Sequence, residues 1–151
     1  HDPHAADLVF RAGWPLTMVG LDVTTKTVIT PAFLERLYAV HNPVTRLLER
    51  IQPCYQQFHQ EVYGMDGSFH VHDPSVVAYL LQPDLYRIQQ MPVYVETEGR
   101  GLGQTVADGR RQWAERPLIN IPLEVDEAGV LELLFELLTR PVSPSDVGTP
   151  G

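Results

Sequence analysis

Apolar positions along the chain fall into short runs and helical stripes, separated by proline, glycine and small polar residues. Asp2-Pro3 followed by Ala5, Ala6, Leu8, Val9 and Ala12 has the form of an N-cap, a proline at the first helical position and an apolar face. A helix of about three turns ending at Gly13 is predicted. Leu16 to Leu21, "LTMVGL", is a continuous apolar run bounded by Pro15 and Asp22, as expected of a strand covered on both faces. Thr30-Pro31 opens a second helix with Phe33, Leu34, Leu37 and Tyr38 inward. Asn42-Pro43 opens a third, whose stripe Val44, Leu47, Leu48, Ile51, Tyr55, Phe58 and Val62 keeps the helical period past Pro53, where a kink is expected.

After Gly64 the glycine-punctuated stretch "GMDGSFHVHDP" leads to Asp73-Pro74, which reads as another capped helix running through Leu81. Strands are predicted at Pro92 to Thr97, Gly103 to Ala107 and Leu118 to Leu123, with "EGRGLGQ" and "DGRRQWAERP" as connections. Gly99, Gly101 and Gly103 lack the Lys-Ser/Thr and the following helix of a phosphate loop, so a hairpin or loose connection is the better reading. The last helix begins at Asp126 and buries Val130, Leu131, Leu134 and Leu138. One folded domain over residues 1–140 is expected, and the Pro/Ser/Gly-rich residues 141–151 read as a disordered tail. Strands alternating with helices, few for this length, predict an α/β fold: part of an open, Rossmann-like mixed sheet flanked by helices.

Composition narrows the function classes. With 151 residues, 44% hydrophobic and 20% charged, the chain can bury one ordinary core. Its 11 basic against 19 acidic residues give a net charge of −8 with no local cationic run, which argues against a nucleic-acid partner. Cys54 is alone, so neither an intrachain disulfide nor a multi-cysteine metal knuckle can form; a buried, inert thiol in a reducing cytoplasm is expected. No stretch reaches the ~18 apolar residues of a membrane helix. The opening is not leader-like and the first residue is His, so the chain is expected to begin inside a longer protein.

Candidate chemistry gathers around a repeated tripeptide. His-Asp-Pro stands at His1 to Pro3 and again at His72 to Pro74. The second copy lies near His59, His70 and Asp66 in sequence. His70-x-His72 in an extended segment puts two imidazoles on one face, which with Asp73 or His59 would suit Zn²⁺. Alternatively, the Asp73 carboxylate faces a pocket and takes a hard cation or a sugar hydroxyl, with His72 beside it as a proton donor. The plainest reading leaves Asp73 a helix cap. Tyr63 sits where the long helix gives way to the glycine loop. Trp14 and Trp113 read as closing the core, as do Tyr38, Tyr55, Tyr79 and Phe58 by their helical spacing.

Four blocks in order, "DPHAADLVFRAGWPLTMVGLDVT", "HDPSVVAYLLQPDLY", "YVETEGRGLGQTVAD" and "NIPLEVDEAGVLELL", resemble the C-terminal half of the inosine-uridine preferring nucleoside hydrolases. The resemblance implies an incomplete nucleoside hydrolase fold. It implies that Asp73 binds an essential Ca²⁺ and the ribose hydroxyls, that His72 protonates the leaving base, and that Asp2 is chiefly structural. Asp73, Tyr63, Gln60 and His59 are thereby expected to contact substrate, the last three from the segment bordering the base, which also carries Gln56. The implied reaction breaks an N-glycosidic bond through an oxocarbenium-like state.

The chain departs from the family pattern in ways that matter. No Asp-rich DxDxxxDD string occurs in the 151 residues, nor a Glu-x-Asn pair ahead of the first His-Asp-Pro. Ca²⁺ takes ~6 to 8 oxygens, so this chain alone is expected to be inactive. The expected partners are a ribonucleoside and either the missing N-terminal half or a second copy, with no nucleic acid and no membrane. The alternative is a non-catalytic domain that binds a nucleoside, a ribose or a protein.

Overall fold

The computed structural model describes residues 1–110, 112 and 115–141; all but the first residue of the tail expected over 141–151, and the expected core role of Trp113, lie outside the described residues. Two compact units form. One comprises His1–Val23 and Tyr86–Val125, the other Thr24–Leu85 and the chain from Asp126.

The first unit is built on strands β3 (Tyr86–Val95), β4 (Thr105–Ala107) and β5 (Leu118–Val125), in the order β4-β3-β5 with antiparallel pairing. The β3–β4 connection is a hairpin, as expected, closed by Gly103 N–H donating to the Glu96 carbonyl at 2.7 Å. The run "LTMVGL" yields one parallel bridge, Thr17 to Asn120, rather than a full strand. Met91, Val93, Ile119 and Ile121 form the core, with Phe10, Leu16, Met18 and Leu123 packed against it. Helix α1 (Pro3–Arg11) starts at Asp2, whose carboxylate accepts the Ala5 N–H at 2.9 Å. Arg116 lies over the Tyr94 ring and donates to Asp7 at 2.7 Å, tying α1 to the sheet. Burial alone would lift the Asp7 carboxyl, but Arg116 and then Arg11 outweigh it and hold it below the usual carboxylate range. Trp14 is 63% exposed and closes no core.

The second unit holds a two-stranded antiparallel pair, β1 (Val28–Ile29) with β2 (Phe69–His70), and helices α3 (Pro31–Tyr38), α4 (Pro43–Tyr63), α5 (His72–Leu81) and α6 (Glu127–Thr139). The single turn α2 (Leu21–Thr24) precedes them. Thr30, Asn42 and Asp126 cap their helices through side-chain oxygens, as the sequence predicts. Leu34, Leu37, Val130 and Leu134 are buried.

Helix α4 runs unbroken through Pro53, but its covered side is not the apolar one. Thr45, Gln52 and His59 are buried, whereas Leu47, Ile51, Tyr55, Phe58 and Val62 are exposed. Period alone fixes which residues share a face, not which face is covered. The buried polar groups are held locally: Thr45 in a capping box with Asn42, Gln52 by the Tyr38 hydroxyl, His59 by the Tyr55 carbonyl. Cys54 is exposed on the same helix, contrary to the buried thiol expected.

Candidate active site

The second His-Asp-Pro does not cap its helix in the way the first does. Val71 N–H donates to the Thr27 carbonyl at 3.3 Å, and the Val71 carbonyl accepts the Ser75 hydroxyl at 2.6 Å. These bonds start α5 at His72, with Val71 in the cap position and no side-chain cap bond. Asp73 therefore falls in the first turn, exposed, its carboxylate unused by the helix it was expected to cap. A negative charge there is favoured by the unpaired N–H groups and the dipole of the helix end.

His72 is half-buried, and its Nδ1 lies 2.8 Å from the Thr24 hydroxyl. A hydroxyl can donate or accept, so Thr24 holds the ring in either protonation state. Among the described residues nothing hydrogen-bonds to Nε2, which is the nitrogen left for a reacting group. His72, Asp73, Tyr55, Phe69, His70 and Pro74 wall a pocket of about 350 Å³.

The glycine loop brings the end of α4 to this pocket. Gly64 adopts φ 67° and closes α4 with its N–H on the Gln60 carbonyl at 3.0 Å, and Gln56 Nε2 donates to the Gly67 carbonyl at 2.6 Å. His59 thereby meets His70, with ring centroids 6.0 Å apart, and His70 meets His72 at 5.7 Å. Tyr63 touches both His59 and His70, at 5.4 and 6.3 Å.

His59 is 1% exposed; its Nδ1–H donates to the Tyr55 carbonyl at 3.1 Å, leaving a buried Nε2 without a partner. Burial holds the His70 imidazole below its ordinary value, helped by His72 and His59 and opposed by a main-chain hydrogen bond to Thr25. The Tyr55 phenol is pushed up, first by burial and then by the charge of Asp73 and by Tyr63.

Of the residues singled out in the sequence, His72 and Asp73 share the pocket, and His59 and Tyr63 join it through His70. Gln60 is exposed and belongs to neither the ring cluster nor the pocket wall. No three His, Cys, Asp or Glu side chains among the described residues are placed to hold a metal ion, so the zinc reading of His59, His70 and His72 lacks a converging ligand set. Two residues of the site are not singled out by the sequence. Helical spacing suggests a core role for Tyr55, although its place four residues before His59 puts it on the same helix face; Thr24 is 48 residues from His72 and gives no local signal.

Residues 1–132, which include both His-Asp-Pro copies, match the family model described as inosine-uridine preferring nucleoside hydrolase. The chain belongs to this family. A pyrimidine-specific ribonucleoside hydrolase, RihA of Klebsiella pneumoniae (strain 342), is 38% identical over 139 residues, which are 91% of this chain and 44% of that protein. Among solved structures, a plant nucleoside hydrolase superposes with a TM-score of 0.87 at 28% identity, over 93% of this chain and 46% of its own. A purine-preferring ribonucleoside hydrolase from Gardnerella vaginalis gives 0.80 at 28% identity, over 91% and 44%. The mixed α/β architecture is thus that of nucleoside hydrolases, and the chain spans less than half the length of these relatives. No helix among the described residues is long and apolar enough to cross a membrane.

Proposed function

We propose that this chain carries the proton-donating part of a ribonucleoside N-ribohydrolase, which cleaves the N-glycosidic bond of purine or pyrimidine ribonucleosides to base and ribose. The observation that carries this reading is the pairing at the start of α5. His72 is anchored through Nδ1 with Nε2 open, beside an Asp73 carboxylate that caps nothing.

Breaking the bond between the anomeric carbon and the base nitrogen builds positive charge on the ribosyl ring and negative charge on the base. His72 Nε2–H gives its proton to the departing base, with Thr24 holding the ring as its charge changes. Asp73 accepts hydrogen bonds from ribose hydroxyls and keeps a negative charge near the developing cation. Tyr63 borders the base with aromatic surface, backed by the buried His59, and Gln60 lies exposed at the same helix end. The attacking water supplies the oxygen that ends on the anomeric carbon and loses its proton to a base outside this chain.

Asp73 suits a hard cation as one oxygen ligand. A Ca²⁺ bound there supplies positive charge to orient the ribose hydroxyls and the water, but its shell of ~6 to 8 oxygens exceeds what the described residues offer. The remaining ligands belong to the part of the family fold this chain does not span, and the chain by itself is inactive, a binding module at most. The uncovered faces of α4 and α5, with Ile51, Phe58, Val62, Leu80 and Leu81 exposed, support a partner there: that remainder of the fold or a second copy. The compartment proposed is the cytoplasm, in keeping with a lone thiol.

The test is hydrolysis of uridine and inosine by this chain and by a protein joining it to the rest of the family fold, with Ca²⁺ and with chelator. Turnover is expected only in the joined protein with Ca²⁺, and to be lost in Asp73→Ala. Unchanged turnover in both His72→Ala and Asp73→Ala would sink the assignment.

A further inference from the structure

One edge of the sheet in the first unit is open. The run Leu16 to Gly20 lies parallel to β5, with Met18 N–H donating to the Asn120 carbonyl and Asn120 N–H to the Leu16 carbonyl, both at 2.9 Å. Main-chain groups alternate sides along an extended segment, so those of Thr17 and Val19 point away from β5. Among the described residues, neither Thr17 nor Val19 has a main-chain hydrogen-bond partner. Leu16 and Met18 pack on the core, so the segment is held as a strand with one side unused. Helix α1 carries a matching strip. Ala5, Leu8, Val9 and Ala12 are exposed, Leu8 by 71%, on the side opposite Phe10, which packs on the same core.

We propose that a strand from the rest of the family fold adds to this edge, running parallel to Leu16–Gly20 and bonding to the main chain of Thr17 and Val19. The proposal rests on the reading that the rest of the fold completes this chain, and is independent of the chemistry assigned to His72. Three observations select this occupant. The chain spans 44% of the Klebsiella RihA relative, so more than half of the fold has still to be placed. A continuous apolar run with a parallel neighbour belongs inside a sheet rather than at its rim, because unpaired edge groups beside apolar side chains invite pairing. Parallel strands are joined through crossover helices, and the exposed strip of α1 offers such a helix an apolar neighbour in the same layer. A second copy fits less well: a two-fold axis joins identical edges antiparallel, whereas the apolar run and its bonds to β5 are those of a parallel strand.

The test is amide hydrogen exchange, read by NMR, on the chain alone and on a protein joining it to the rest of the family fold. In the chain alone the Met18 amide should be protected, and those of Thr17 and Val19 should exchange nearly freely. In the joined protein Thr17 and Val19 should slow by at least about a hundredfold. Contacts across the new edge should lack the close Hα–Hα pairs of antiparallel strands. Val19→Pro removes one of the free N–H groups. It should leave the melting midpoint of the chain alone within about 2 °C and lower that of the joined protein by at least about 5 °C. The exchange readout needs no variant, so the test stands even where Val19→Pro fails to fold. Free exchange of Thr17 and Val19 in the joined protein would overturn the proposal, whether or not that protein hydrolyses uridine. So would protection in the chain alone that rises with its concentration, which gives the edge to a second copy. Protection without turnover supports the added strand and counts only against the roles assigned to His72 and Asp73.

Discussion

At the start of α1 the Asp2 carboxylate closes the helix on the Ala5 N–H, with Pro3 following at the first helical position. At the start of α5 the same tripeptide is shifted by two residues: Val71 takes the cap position, His72 opens the helix, and Asp73 falls in the first turn with no cap bond. What separates the copies is the buried chain that precedes the second one. Val71 is 5% exposed and bonded on both sides, to Thr27 and to Ser75, so the helix begins where β2 leaves it. A sequence that stabilises a helix end in one place thus leaves an imidazole and a carboxylate side by side in another.

The largest expected effect falls on the imidazole. His72→Ala in a protein with the rest of the family fold should lower turnover of nucleosides with poor leaving groups by roughly 10²- to 10⁴-fold, the usual size of a general acid's contribution. His1→Ala, the exposed histidine of the first copy, should leave the rate unchanged. A similar loss in both variants would erase the distinction between the two copies. A smaller effect is expected at the anchor. Thr24→Val removes the 2.8 Å bond to His72 while keeping the shape of a residue only 2% exposed. Turnover should fall roughly three- to tenfold, as for one neutral hydrogen bond, with KM little changed.

Smaller again is the pH dependence of stability set by His70. Its folded-state value lies below that of the unfolded chain, so between the two the unfolded state binds more protons and stability rises with pH. Denaturation midpoints should fall as pH drops from about 7.5 to about 5.5, a component that His70→Phe removes. A midpoint slope unchanged in that variant would show that the ring cluster does not hold His70 neutral.

Features encoded over three or four residues were legible in the sequence, and those that depend on distant packing were not. The caps at Asp2, Thr30, Asn42 and Asp126 were readable because donor and acceptor lie within one turn. The same rule misassigned Asp73, since nothing local reveals that Val71 is pinned to Thr27. The apolar stripe of α4 is periodic as expected, yet Gln52 and His59 lie on the covered side, each with one hydrogen bond, to Tyr38 on α3 and to the Tyr55 carbonyl within α4. The meeting of His59, His70 and His72 was suggested by nearness in sequence. Thr24 entered only through the fold.

The central claim is most directly tested by measuring stability and rate together in Asp2→Ala and Asp73→Ala, each in a protein that carries the rest of the family fold. Denaturant titration of Asp2→Ala should show a loss of about 0.5–2 kcal/mol, the usual cost of a lost cap, with uridine turnover retained. Asp73→Ala should keep its stability within about 0.5 kcal/mol and lose turnover. If Asp73→Ala instead unfolds as readily as Asp2→Ala while still hydrolysing uridine, the second copy is a cap like the first and the account is wrong.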